Sequence, residues 1–168
     1  TQAGTSLFTP SFVAGIVNTS VDGATLVINN PAGGSASYTG GFGSADSSNV
    51  ATPNTNISIL LPSTNLLKQT LIGERGTFNY TGTTTVSGGE LEFKTPLRPV
   101  IGGTPQAAGA VTVDGTGTVS FIGGTSPSVN TFAAELSVLS VSGGGAVKVA
   151  ATDLATNKPA VLVVNSLA

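Results

Sequence analysis

The chain contains no histidine, no cysteine, no methionine and no tryptophan. Each absence removes chemistry. Without histidine the commonest general base is missing, and without cysteine so is the most nucleophilic side chain. Disulfides and thiolate metal sites are ruled out by the same lack. A Ser/Lys nucleophile would remain, but nothing marks one serine among so many, so solvated hydroxyls are the better reading. The expectation is a protein that is not an enzyme, with no catalytic, cofactor-binding or metal-ligating residue. With Thr1 first and no methionine anywhere, the chain is expected to be processed or to be a fragment.

Charge is scarce as well. Charged residues make up 8% of the chain, six basic against eight acidic, for a net charge of −2. Typical soluble domains carry about 25%. The basic residues Lys68, Arg75, Lys94, Arg98, Lys148 and Lys158 are scattered along the sequence. Nucleic-acid binding needs several ammonium or guanidinium groups on one face, so it is not expected. Anionic membrane surfaces are disfavoured for the same reason. No run approaches the roughly 20 apolar residues of a membrane span. A mean hydropathy of +0.32 argues against disorder, which pairs low hydrophobicity with high net charge.

What is present is glycine, threonine, serine, valine and alanine, arranged in short β-branched runs between turn residues. Strands are expected at 11–17, 24–29, 56–61, 76–80, 83–86, 90–93, 110–113, 116–122, 136–141, 146–150 and 160–164. One segment looks helical. Ser63 would cap it, Leu66, Leu67 and Leu71 would form its apolar side, and Gly73 would end it. A second short turn is expected around 131–136. At 168 residues a single all-β domain is the default.

Three stretches resemble one another: Thr85-Val86-Ser87-Gly88-Gly89-Glu90-Leu91-Glu92-Phe93, then the run from Thr112 to Phe121, then that from Ser140 to Val149. Their valines, Val86, Val113 and Val141, stand 27 and then 28 residues apart. A fourth version, Ser20 to Ile28, lies off this period. The domain therefore divides into 76–168, which carries the similarity, and 1–75, a non-repeating β-rich cap or lobe. Two architectures fit. Asp-Gly and Gly-Gly suit type I′ hairpins, which would give an antiparallel two-sheet β-sandwich or jelly roll. A regular 27–28-residue period instead suits a right-handed parallel β-helix or solenoid, the glycines turning corners between faces. The second is the leading expectation.

The run from Gly76 to Phe93, with its Gly-Thr-aromatic opening, Thr-rich strand, Val-Ser-Gly-Gly turn and alternating Glu-Leu-Glu-Phe strand, resembles the autotransporter-associated β-strand repeat. The tail from Val129 to Ala168 is similar to bacterial extracellular β-helix surface proteins. This resemblance implies a parallel β-helix in a secreted or surface-displayed protein, and it brings no catalytic residues.

Glu90 and Glu92 alternate with Leu91 and Phe93, so both carboxylates should emerge side by side on one sheet face. That is close enough to couple, to hold a cation or to cleave a glycoside, although the polar side of an amphipathic strand is the simpler account. Glu74 beside Arg75 reads as a surface ion pair. Asp22 and Asp114 fit Asp-Gly turns better than calcium sites, which need several converging oxygens. Tyr38 lies in a glycine-rich stretch, 33–43, expected to be a long flexible loop held by Tyr38 and Phe42. An exposed tyrosine there, or at Tyr80, could serve a sugar. The glycine run lacks the Lys-Ser/Thr and following helix of a phosphate cradle. Thr83-Thr84-Thr85 and Thr116–Thr118 do not repeat as the Thr-x-Thr rows that ice binding would ask for, and strand propensity accounts for them. Sequons at Asn18, Asn56 and Asn79 permit glycosylation without arguing for it.

The functional expectation is an extracellular or cell-surface structural module: a subunit or segment of a fibre, adhesin or surface layer. It would self-associate through β-strand edges, with residues 1–13 as a candidate exchanging strand. The alternatives are a carbohydrate-binding module, with a glycan as partner, and a viral capsid or fibre component.

Overall fold

The computed structural model describes residues 15–16, 22–39, 41–42, 57–72, 80, 82–94, 110–123, 133–136, 138–151, 161–164 and 166–168. All their regular structure is β, with no helix. Five strands form a first sheet: β2 (Ala24–Val27), β5 (Ile57–Leu61), β7 (Thr84–Val86), β9 (Val111–Val113) and β12 (Leu139–Val141). Five more form a second: β3 (Gly34–Thr39), β6 (Leu67–Ile72), β8 (Glu90–Phe93), β10 (Thr118–Gly123) and β13 (Ala146–Ala151). Two further pairs join β1 (Gly15–Ile16) to β4 (Gly41–Phe42) and β11 (Ala133–Leu136) to β14 (Val161–Val164).

The chain alternates between the two large sheets. It runs from β2 into β3, from β5 into β6, from β7 into β8, from β9 into β10 and from β12 into β13, so five two-strand units lie one beside the next. Every strand pairing among the described residues is parallel. The antiparallel sandwich or jelly roll therefore has no support among the described strands. The turns at Gly88-Gly89, Asp114-Gly115 and Gly143-Gly144 close no hairpin, because each hands the chain from the first sheet to the second. The same i to i+3 bond that would close a hairpin is still there, from Gly117 N to Asp114 O at 2.9 Å and from Gly145 N to Ser142 O at 2.9 Å.

The core fills the space between the sheets. From the first sheet Ile57, Ile59, Leu61, Val86, Val111, Val113 and Leu139 turn inward, and from the second Leu71, Leu91, Phe93, Val119 and Phe121. Pairing in register stacks like on like: Phe93 lies against Phe121, their rings 5.7 Å apart and 9° from coplanar. A fully buried side chain of this size contributes about 1.5–3 kcal/mol. Leu136 of β11 joins the same core, with Leu162 and Val164 of β14 packed against it.

Three expectations need correction. Residues 63–71 are not helical: Ser63 and Thr64 form a turn, and Leu67–Ile72 is strand β6. Leu67, Gln69 and Leu71 alternate on its inner side, all buried. The turn expected at 131–136 gives way to strand β11 at Ala133–Leu136. The stretch 33–43 is no long loop, since Gly34–Thr39 is β3, paired residue by residue with β6. Strands β2, β3, β5 and β6 stand off the 27–28-residue period, 33 residues apart at Ala24 and Ile57 and 25 at Ile59 and Thr84, and they belong to the same two sheets. The expected strand at 76–80, the candidate exchanging strand at 1–13, the pair Glu74 and Arg75, and the three sequons lie outside the described residues, apart from Tyr80.

Candidate functional site

Strand alternation decides what the second sheet shows to solvent. With Leu91 and Phe93 turned inward, Glu90 and Glu92 stand on the outer face of β8, as their spacing predicts. Register then chooses their neighbours. Lys68 pairs with Glu90 and Thr70 with Glu92 across β6; Thr118 pairs with Glu90 and Ser120 with Glu92 across β10; Lys148 pairs with Ser120 one strand further on. Lys94 follows Glu92 on the same side.

The result is a compact ionic lattice. The Lys68 ammonium lies between the two carboxylates, donating to Glu92 Oε2 and standing 3.3 Å from Glu90 Oε1. Lys148 Nζ donates to Glu90 Oε2 at 3.2 Å, and Lys94 Nζ lies 3.6 Å from Glu92 Oε1. Two hydroxyls complete it: Ser120 Oγ donates to Glu90 Oε1 at 2.8 Å, and Thr70 Oγ1 to Glu92 Oε1 at 3.1 Å. The depth of the two signs differs. Side-chain exposure is 20% for Glu90 and 7% for Glu92, against 40%, 44% and 57% for Lys68, Lys94 and Lys148. The carboxylates are sunk and the ammoniums stand above them.

Titration follows from these partners. Burial alone would raise the Glu90 pKa, but hydrogen bonds from Ser120 and Lys148 and the charges of Lys68 and Lys148 outweigh it and hold the carboxyl below its usual range. The bond to Glu92 is the largest reason Lys68 keeps its proton to higher pH than usual; burial opposes this and Glu90 adds to it. A carboxylate held ionised by ammoniums is poorly suited to act as a general acid, which needs a raised pKa. The position between the carboxylates that a bridging cation would need is taken by Lys68.

Other sequence candidates fall elsewhere. Tyr38 sits on β3, half-buried against the core, and burial raises its pKa despite a backbone hydrogen bond with Ile16. Tyr80 is buried, its hydroxyl 2.6 Å from that of Thr84, and burial pushes its pKa up to about 12, with the Thr84 bond opposing. Tyr80 therefore offers no sugar-stacking plane, and Tyr38 is at most half-open. Asp22 and Asp114 lie apart, and among the described residues no three carboxylates converge. No described helix is long and apolar enough to cross a membrane.

One constellation had no sequence signal beyond a pair of asparagines. Asn65, buried in the corner between β5 and β6, accepts from Asn30 N at 2.9 Å and Leu67 N at 3.3 Å, and donates to Leu67 O at 3.0 Å and Gly88 O at 3.3 Å. It ties three successive corners together. Convergence of the lysines was equally hidden, because Lys68, Lys94 and Lys148 are far apart in the chain and meet only through strand register.

Comparison with protein-family models, with curated proteins and with solved structures finds no match to this chain.

Proposed function

We propose that this chain is an extracellular structural module, a right-handed parallel β-helix that serves as a subunit or segment of a surface fibre, adhesin or surface layer and associates through its strand edges. The winding supports the fold reading. Consecutive strands alternate between two parallel sheets, and parallel crossovers are right-handed in almost all proteins. The resemblance read from the residues Gly76 to Phe93 to the autotransporter-associated repeat is in keeping with this reading. Lack of histidine and cysteine, together with carboxylates committed to ammoniums, supports a role without catalysis.

The observation that carries the association is the pair of sheet ends. In the second sheet β13 bonds only β10 and β3 bonds only β6 among the described residues. At the β12–β13 end Leu139 of β12 already exchanges bonds with Ser166 and Ala168, whereas Val149 of β13 occupies a column whose members deeper in the stack are buried, yet it is 45% exposed. Open backbone donors and acceptors beside apolar side chains template a further parallel strand.

Sedimentation of the purified chain over a range of concentrations tests this, with electron microscopy of the products. Linear association is expected, and Val149→Lys should suppress it by placing a charge where the next strand must close over the core. A monodisperse monomer at every concentration would refute the assembly reading.

A further inference from the structure

Half of the chain's six basic residues meet on one face, and that face is the outer side of the second sheet. The outer side of the first sheet is different: Thr25, Ser58, Thr85, Thr112 and Ser140 alternate there with inward residues and carry no charge. The two faces are thus chemically distinct, and the charged one has an uneven profile. Three ammoniums stand over two sunk carboxylates, a net charge of +1, with the positive groups outermost. Each ammonium has three donors. Lys148 spends one on Glu90, and Lys94 stands 3.6 Å from its carboxylate, so donors remain turned to solvent.

We infer that this face binds an acidic glycan, through carboxylate or sulfate groups set on Lys68, Lys94 and Lys148. Charge complementarity selects an anion, and the surroundings select a saccharide. Ser35 and Ser37 of β3 are exposed in register with Lys68 and Thr70, and Thr118 of β10 lies beside Glu90, so hydroxyls flank the ammoniums on both sides. Hydroxyls at fixed spacing are suited to sugar hydroxyls. The described residues lack the chemistry of the other polyanions. Among the described residues Tyr80, Phe93 and Phe121 are buried and Tyr38 is half-buried against the core, so none of them lies fully open for stacking bases. Three lysines fall short of the four to eight, roughly, that mark a lipid-binding basic cluster. The lattice also fixes the ammoniums beforehand: Glu90 and Glu92 hold two flexible stems in place, which lowers the ordering cost of binding. The sunk carboxylates therefore position the lysines, and the lysines make the contact.

Titration calorimetry of the whole chain tests the inference with three polymers: polygalacturonate, dextran sulfate and neutral dextran. Binding to one or both acidic polymers and none to dextran is expected, and the two acidic arms separate carboxylate from sulfate preference. Affinity should fall with salt at a log–log slope of about two to three, one released counterion per ammonium. Lys94→Gln with Lys148→Gln should weaken binding about tenfold or more, whereas Lys94→Arg with Lys148→Arg should retain it. Thermal melts of all variants show whether the fold survives. No binding at low salt, binding indifferent to the glutamine pair, or equal affinity for a single-stranded oligonucleotide or anionic phosphatidylserine vesicles would each overturn the assignment. Edge association plays no part in this test, so a monomer that binds, or an assembly that does not, distinguishes the two proposals.

Discussion

Between Val27 and Gly34, and again between Leu61 and Leu67, the chain turns from the first sheet to the second around asparagines; between Val113 and Thr118, and between Val141 and Ala146, it makes the same turn around glycines. The early corners are held by side chains. Asn30 accepts from Ala32 N at 3.0 Å and donates to Gly33 O at 3.2 Å, while Asn65 bonds both its own corner and the two beside it. The late corners are held by backbone alone. Asp114 N donates to Val86 O and Ser142 N to Val113 O, each at 3.0 Å. Here neighbouring corners approach so closely that no side chain fits: a Cβ on Gly145 would lie 2.6 Å from Val113 O, and one on Gly117 closer still to Val86 O. The corner at 87–89 is the junction between the two designs. A Cβ on Gly88 would meet Pro62 O at 2.7 Å, and Gly88 O accepts from Asn65. The lesson is that a corner can be specified by a hydrogen-bonding side chain or by the exclusion of one, and both support the same sheets.

That contrast predicts different responses to substitution. Gly117→Val should have the largest effect, because backbone cannot yield to a Cβ so close to Val86 O; a cost of about 4 kcal/mol or more is expected. Urea unfolding would then show a strongly lowered midpoint, while the exposed neighbour Thr116→Val stays within about 0.5 kcal/mol of the parent. A tolerated Gly117→Val would break the steric account of the late corners.

Asn65→Ala comes next. It strands Asn30 N, Leu67 N and Gly88 O in a buried corner, and each unsatisfied buried group costs about 1–3 kcal/mol, partly relieved by water. A loss of about 3 kcal/mol is expected. Hydrogen exchange should show it first at Asn30 and Leu67 and least at Asp114 and Ser142. Uniform loss across all corners would mean that the two designs are not separate.

Acid gives the smallest effect and separates corners from face. Glu90 has a folded pKa below its unfolded value, so its stabilisation is present above the unfolded value, about 4.3, and lost as pH falls through the folded one. The asparagine corners carry no titrating group. Between neutral and acid pH, β8 and β10 should lose protection before Asn65 and Leu67 do, and Glu90→Gln should flatten that dependence. Equal loss at both places would deny the ionic lattice any role of its own.

Much of this was legible beforehand where local chemistry is strong. Strand β8 matches its expected span, and β5, β7, β9, β13 and β14 fall within a residue or so of theirs, because β-branched or alternating runs are bounded by Gly, Pro, Asn or Asp. Strand β6 was obscured by Gln69: an amide in an inner position hides the alternation, and Leu66, Leu67 and Leu71 happen to keep helical spacing. Gln69 is buried, with its Nε2 donating to Thr70 O at 3.0 Å. Strand β3 was obscured by composition, since Gly, Ser and Ala have weak strand preference and owe their conformation to pairing with β6. At the site, the emergence of Glu90 and Glu92 on one face was legible from their spacing, but their lysine partners were not.

Residue chemistry alone thus established a β protein without catalytic histidine or cysteine, the turn positions, and the inward side of most strands. These depend on neighbours two to four residues away, and any chain of this composition would meet the same constraints. Whether a Gly-Gly turn leads to an antiparallel partner or to the opposite sheet was settled only by tertiary structure, as was the meeting of Lys68, Lys94 and Lys148. A turn's own hydrogen bond is the same in both cases; the choice lies in which distant strand accepts the next row of backbone bonds, and that is decided by the packing of the whole core.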